Sequence, residues 1–155
     1  MHQIEVKRWL IAHVFSPASG WTVTVDLDAM EMGKGPQNTD HKRHVAAVHK
    51  KWMEDNGVLI QPHKKHGRVD IVANHPQYGE HLVECEGDSS KQQEQAMYSA
   101  LGQILLKMDD GAKHHSLAVP NTASWRTQVH KIPAYVKNAL RLTVYLVNEH
   151  EVTQV

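Results

Sequence analysis

Cysteine and net charge are what this sequence has least of. A single cysteine, Cys85, in 155 residues excludes an internal disulfide framework and fits a reducing cytoplasm. The formal net charge is zero, which argues against a protein that coats nucleic acid by bulk charge. No apolar run approaches the roughly 20 residues that a bilayer span needs, and no charged start followed by an apolar stretch marks a secretory signal, so the expectation is a cytoplasmic protein with no membrane contact. Several motifs are also missing. Without Gly-x-x-x-x-Gly-Lys-Ser/Thr, a Gly-x-Gly-x-x-Gly opening a helix, or Gly-x-Ser-x-Gly, nucleotide-binding and serine-hydrolase readings have nothing to stand on. Thirteen histidines invite a zinc reading through His41 and His44, His63 and His66, or the pair His114 and His115. With no Cys-x-x-Cys and no His-Glu-x-x-His, those clusters are weak evidence for a zinc site.

What is present suits one domain of residues 1–155 with a real core: 41% of the residues are hydrophobic and 22% charged, over a length that supports a single domain. Residues 1–15 read as a helix that ends before the turn-rich 16–20, and 21–28 alternate strictly, as a half-buried strand does. Gly33, Gly35 and Pro36 make 30–39 a loop. Thr39 or Asp40 then caps a helix to about Asn56, with Val45, Val48 and Trp52 at core spacing and Gly57 placed to end it. Residues 58–60 read as a strand. Residues 68–73 and 82–86 are two strands joined by a turn through Asn74, Pro76 and Gly79. Ser90 with Gln93 makes a capping-box pattern that opens a helix carrying Met97, Leu101, Ile104, Leu105 and Met108 at helical spacing. A strand at 116–120, helices at 123–130 and 133–141, and a strand at 142–147 close the chain, and that alternation implies parallel pairing. The fold class is α/β: a mixed sheet with an antiparallel hairpin and a parallel second half, flanked by helices. Residues 39–147 form the core of this reading, and 1–38 are a helix and strand extension.

Charge is unevenly placed. Seven Lys and Arg stand against two Asp and Glu over residues 41–68, and two against eight over 69–110. The acids gather on the hairpin. Side chains alternate faces along a strand, so Arg68, Asp70 and Val72 share one face and Leu82, Glu84 and Glu86 share one face of the partner. If those faces coincide, Asp70, Glu84 and Glu86 converge on one site; in the other register the acids are solvated. Carboxylates held close repel one another, and a fold that gathers them has a cation or a proton to hold. Mg²⁺, bound by one or two carboxylates and completed by water and substrate phosphate, fits the set, and the flanking basic segments suit a rim that meets phosphates.

The order of Asp70, then Glu84-Cys85-Glu86 on the next strand, then a helix carrying Ala100-Leu101-Gly102-Gln103, resembles the PD-(D/E)xK nuclease superfamily, the restriction endonuclease-like fold, with an element order that is similar from about residue 39 to 147. The resemblance implies a Mg²⁺- or Mn²⁺-dependent DNA endonuclease. Asp70, Glu84 and the backbone carbonyl of Cys85 would bind the metal. Glu86 stands where the family usually has Lys, although some restriction enzymes of the family have Glu there. In this superfamily a missing strand lysine can be replaced from the following helix, which makes Lys91 and Gln95 candidates to act with Glu86 on the attacking water. Gln103 matches a glutamine often found on that helix and reads as structural, and Glu54, on the helix before the first catalytic strand, is a further candidate acid. The implied partner is nucleic acid, DNA before RNA, with a homodimer or another protein partner left open. The alternative function is a nuclease-like fold whose chemistry has decayed and which serves as a nucleic-acid-binding or assembly subunit.

Overall fold

The computed structural model describes residues 1–88, 92–109 and 113–155. Among them, seven strands form one mixed sheet flanked by helices on both faces. In chain order the elements are α1 (Gln3–His13), β1 (Thr22–Val25), α2 (Asp40–Asp55), β2 (Leu59–Ile60), β3 (Ile71–His75), β4 (Gly79–Cys85), α3 (Gln93–Leu106), β5 (His114–Pro120), α4 (Ala123–Val129), α5 (Ala134–Leu140), β6 (Leu142–Val147) and β7 (Val152–Gln154). The sheet order is β2-β1-β3-β4-β5-β6-β7. β3 lies between β1 and β4 and is antiparallel to both, and β4, β5 and β6 run parallel. No helix of the described residues is long and apolar enough to cross a membrane.

The pleat sorts the core into two layers. Val23, Val25, Ile71, Ala73, Val83, Cys85, Ala118, Tyr145 and Val147 face α1 and α2, whose Ile4, Val6, Leu10, Ile11, Ala46 and Met53 pack against them. Leu117, Val119, Leu142, Val144 and Leu146 face the other way, against Met97, Ala100 and Ile104 of α3 and Trp125 and Val129 of α4. Strand parity and helix spacing produce both layers.

Residues 1–38, set outside the core by the sequence reading, lie at the centre of the fold. β1 sits between β2 and β3, and α1 buries four aliphatic side chains completely or nearly so. Pattern alone reports that an element is half-buried; it does not report whether its neighbours in space precede or follow it. Two stripes are also rotated from their expected positions. α2 buries Ala46, His49 and Met53 and leaves Val48 exposed. α3 buries Met97, Ala100 and Ile104 and exposes Leu105, because small Ala100 allows close approach to the sheet.

If α1 belongs to the core, Leu10→Ala should cost about 2–5 kcal/mol, as large-to-small changes at fully buried positions do, and lower the urea midpoint accordingly. An unchanged midpoint would show that α1 is a detachable appendage.

Candidate functional site

The acids meet at one end of the sheet, beyond the carboxyl ends of β1 and β4, where open α/β sheets place their crevices. Ile71 pairs with Val83 and Val72 with Leu82, so Asp70, the next residue back, stands opposite Glu84. The two carboxylates lie on one face of neighbouring strands, close enough for the charge of Asp70 to raise the Glu84 pKa. Around them lies an open cavity of about 680 Å³, whose walls include Glu31, Asp70, Glu84, Glu86 and Gln103.

Asp70 is the most heavily bonded of these acids. Its Oδ2 accepts the Cys85 backbone N–H at 2.8 Å, Gln3 Nε2 lies 3.3 Å from both oxygens, and Lys7 Nζ lies 2.8 Å from Oδ1. The Glu86 N–H donates to the Ala118 carbonyl at 2.9 Å. The Cys85 carbonyl, on that same trans peptide, is therefore directed to the opposite side, toward Asp70. The Cys85 thiol itself is buried in the core, and burial pushes its pKa well above the ordinary value, so the backbone of this residue is what the site can use.

Lys7 anchors the cluster from α1. Its side chain is fully buried, and its ammonium contacts Glu31 Oε1 (2.7 Å), Asp70 Oδ1 (2.8 Å) and the Asp26 carbonyl (2.7 Å). Burial alone would lower its pKa; Asp70 and Glu31 outweigh burial and raise it. Glu31 is delivered by the loop after β1, where its Oε2 accepts the Asp28 N–H at 3.1 Å and its own N–H donates to Asp28 Oδ1 at 2.8 Å. Burial raises its carboxyl pKa, with Lys7 opposing.

Glu84 and Glu86 carry the strain of this arrangement. Burial first, then the charge of Asp70, pushes the Glu84 carboxyl up to about 7, although Lys107 donates to its Oε1. Burial first, then Asp70 and Glu84, likewise pushes Glu86 up to about 7. Carboxyls this crowded are partly protonated at neutral pH, and any cation that entered would lower both values.

The structure thus brings together Asp70, Glu84, the Cys85 backbone and Glu86. It does not bring Gln95, which is exposed on α3 and does not line the cavity. The first turn of α3 is tied to α4 instead: Glu94 pairs with Lys131 at 2.7 Å, and Gln93 accepts from Ser124. The other end of the helix serves the site, through Gln103 on the cavity wall and Lys107 just past the last turn. Lys91 lies outside the described residues. Glu54 is exposed, pairs with Lys50 at 3.5 Å and is not on the cavity wall. Of the histidine pairs, His63 and His66 stack on each other at 4.9 Å, and His114 stacks on His81 at 4.4 Å. Among the described residues no three His, Cys, Asp or Glu side chains are gathered closely enough to hold an ion by themselves.

Sequence reasoning missed Lys7, Gln3, Glu31 and Lys107. One signal for Lys7 was available. It stands three residues after Ile4 and three and four before Leu10 and Ile11, in the middle of an apolar stripe, where a charged residue needs a buried partner. The chain matches no protein-family model, no curated protein and no solved structure.

The raised carboxyls make stability depend on pH. Glu86 has an ordinary value of 4.5 and a folded value of about 7, so the folded state binds more protons between those limits. Stability therefore falls as pH rises through that window and is level above it. In chelator, Glu86→Gln should raise stability at pH 8 by about 1 kcal/mol, after discounting for solvent screening, and change nothing at pH 4. Thermal melts across the range check this; a stabilisation that does not vary with pH would contradict it.

Proposed function

We propose that this protein is a metal-dependent DNA endonuclease of the PD-(D/E)xK, restriction endonuclease-like type. The observation that supports this reading best is the placement of Asp70 opposite Glu84, on neighbouring antiparallel strands, in the wall of one open cavity. A mixed sheet with such a hairpin, continued by parallel strands and covered by helices, is also the arrangement that the sequence resemblance implies. The lysine absent from position 86 has a counterpart in Lys7, which reaches Asp70 from α1.

The donor set fits Mg²⁺ or Mn²⁺. Asp70 and Glu84 offer hard oxygens on the wall of one cavity, and the Cys85 carbonyl is directed to the same side. The elevated Glu84 value marks negative charge that a cation would relieve. Two carboxylates without a third are sufficient for Mg²⁺, which keeps several waters and takes substrate phosphate oxygens into its shell. When bound, the ion supplies Lewis-acid polarisation of a phosphodiester. The chain's own residues do the rest. Lys7 and Gln3 fix the Asp70 carboxylate in place. Glu86, with a pKa of about 7, is suited to accept the proton of the attacking water near neutral pH, where general bases work best.

A second reading has its own observation. Lys7 already contacts Asp70, and Lys107 already contacts Glu84, so the two carboxylates have internal counter-ions, as expected of a decayed site kept for nucleic-acid binding or assembly. Cleavage of plasmid and branched DNA in Mg²⁺ and Mn²⁺ separates the readings. The nuclease reading expects cleavage that Asp70→Ala and Glu84→Gln each reduce by roughly 100-fold or more, with both variants folded by circular dichroism. Equal cleavage by wild type and variants would sink it, and DNA binding without cleavage by the wild type would favour the second reading.

A further inference from the structure

The cavity is acidic almost throughout. Asp26, Asp28, Glu31, Asp70, Glu84 and Glu86 all contribute to its walls, and among the described residues Arg68 is the one cationic side chain that lines it. Lys7 lies beneath the surface with no exposed side-chain area, and Lys107 is bonded to Glu84 and to the Arg68 carbonyl. A phosphate entering such a cavity meets repulsion from six carboxylates, and among the charged side chains of the wall only Arg68 attracts it.

Arg68 is held by one of its nitrogens. Nε donates to Asp26 Oδ2 at 3.0 Å, and the arginine side chain is 71% exposed while Asp26 is 13% exposed. The bond to a largely buried carboxylate fixes the plane of the guanidinium without using its terminal N–H groups, which are the pair that grips a phosphate through two parallel hydrogen bonds. Arg68 precedes Asp70 by two residues, and both side chains line the same cavity, so the guanidinium stands on the wall that also carries the carboxylate pair.

We propose that Arg68 is the phosphate-holding residue of this site, taking a non-bridging pair of oxygens on a backbone phosphate next to the one positioned at Asp70 and Glu84, with Asp26 as the residue that orients it. The proposal rests on the nuclease reading for what happens at the carboxylates, but the contact itself is a binding contact. It assigns the ligand as a nucleic-acid backbone with at least two consecutive phosphates, and it places recognition on charge and geometry with no base contact.

The test is titration of a fluorescein-labelled DNA duplex with the full-length protein over a range of salt, in Ca²⁺ as a hard cation of the same ligand preference, alongside cleavage kinetics in Mg²⁺ and Mn²⁺. Arg68→Ala should weaken binding about tenfold and reduce the slope of log K against log salt by about 1, raising KM while kcat stays within about twofold. Arg68→Lys should restore the salt slope, as a point charge does, and only part of the affinity. Thermal melts confirm that both variants fold. If the wild type cleaves and binds while Arg68→Ala leaves affinity, slope and KM unchanged, the proposal is overturned and the nuclease reading stands. A fall in kcat at constant KM also overturns it, since the residue would then act on the reacting phosphate. If the wild type binds without cleaving and Arg68→Ala still loses one unit of salt slope, the phosphate site stands and the nuclease reading falls. Absence of any salt-dependent binding by the wild type overturns both.

Discussion

The buried ammonium of Lys7 is the interaction on which the site depends. It contacts a carboxylate from the start of β3, a carboxylate from the loop after β1 and a carbonyl at the end of β1, and it does so from a helix whose other inward side chains are aliphatic. Desolvating a charge costs several kcal/mol, and only close partners with satisfied hydrogen bonds offset that cost. The four segments are therefore bound to one geometry. If α1 moved, Asp70 and Glu31 would be left facing each other without a counter-ion. Such a cluster is poor as a source of net stability and effective as a device for placing Asp70.

The charge that Lys7 leaves unbalanced defines the chemistry. One ammonium serves Asp70 and Glu31, and a second, from Lys107, serves Glu84. Among the described residues Glu86 has no lysine in contact, and burial and crowding push both Glu84, in β4, and Glu86, just past its end, up to about 7. The crowding that weakens these acids is uncompensated negative charge, which an added cation would relieve and a further carboxylate would raise. Burial of Cys85 on the opposite face of β4 is the other half of this arrangement: alternation along the strand puts its side chain in the core and leaves its backbone at the site.

Much of the fold was legible in the sequence because periodicity is local. The helices at α1 and α2, the hairpin and the parallel closing strands follow from patterns within a few residues; which acids could share a face was legible, but the register that sets Asp70 opposite Glu84 comes from the structure. The contributions of Lys7, Glu31 and Lys107 come from residues 63, 39 and 37 positions away from Asp70, and no periodicity encodes which distant element lies over which. The placement of Gln95 shows the same limit in reverse. Proximity to Glu86 in the chain suggested proximity in space, but the ties from Glu94 to Lys131 and from Gln93 to Ser124 hold the start of α3 on α4. The reading of Glu86 against a lysine was also local; the amine that contacts Asp70, Lys7, stands on an element that pattern reading had assigned to an extension.

The most direct measurement of whether Asp70 and Glu84 form a cation site is a crystal structure grown with Mn²⁺ and phased so that manganese is identified by its anomalous signal. A peak in contact with both carboxylates, with Lys107 withdrawn from Glu84 and Lys7 still on Asp70, is the expected result. Manganese elsewhere, or an unaltered pair of lysine contacts with no peak at saturating Mn²⁺, would contradict it.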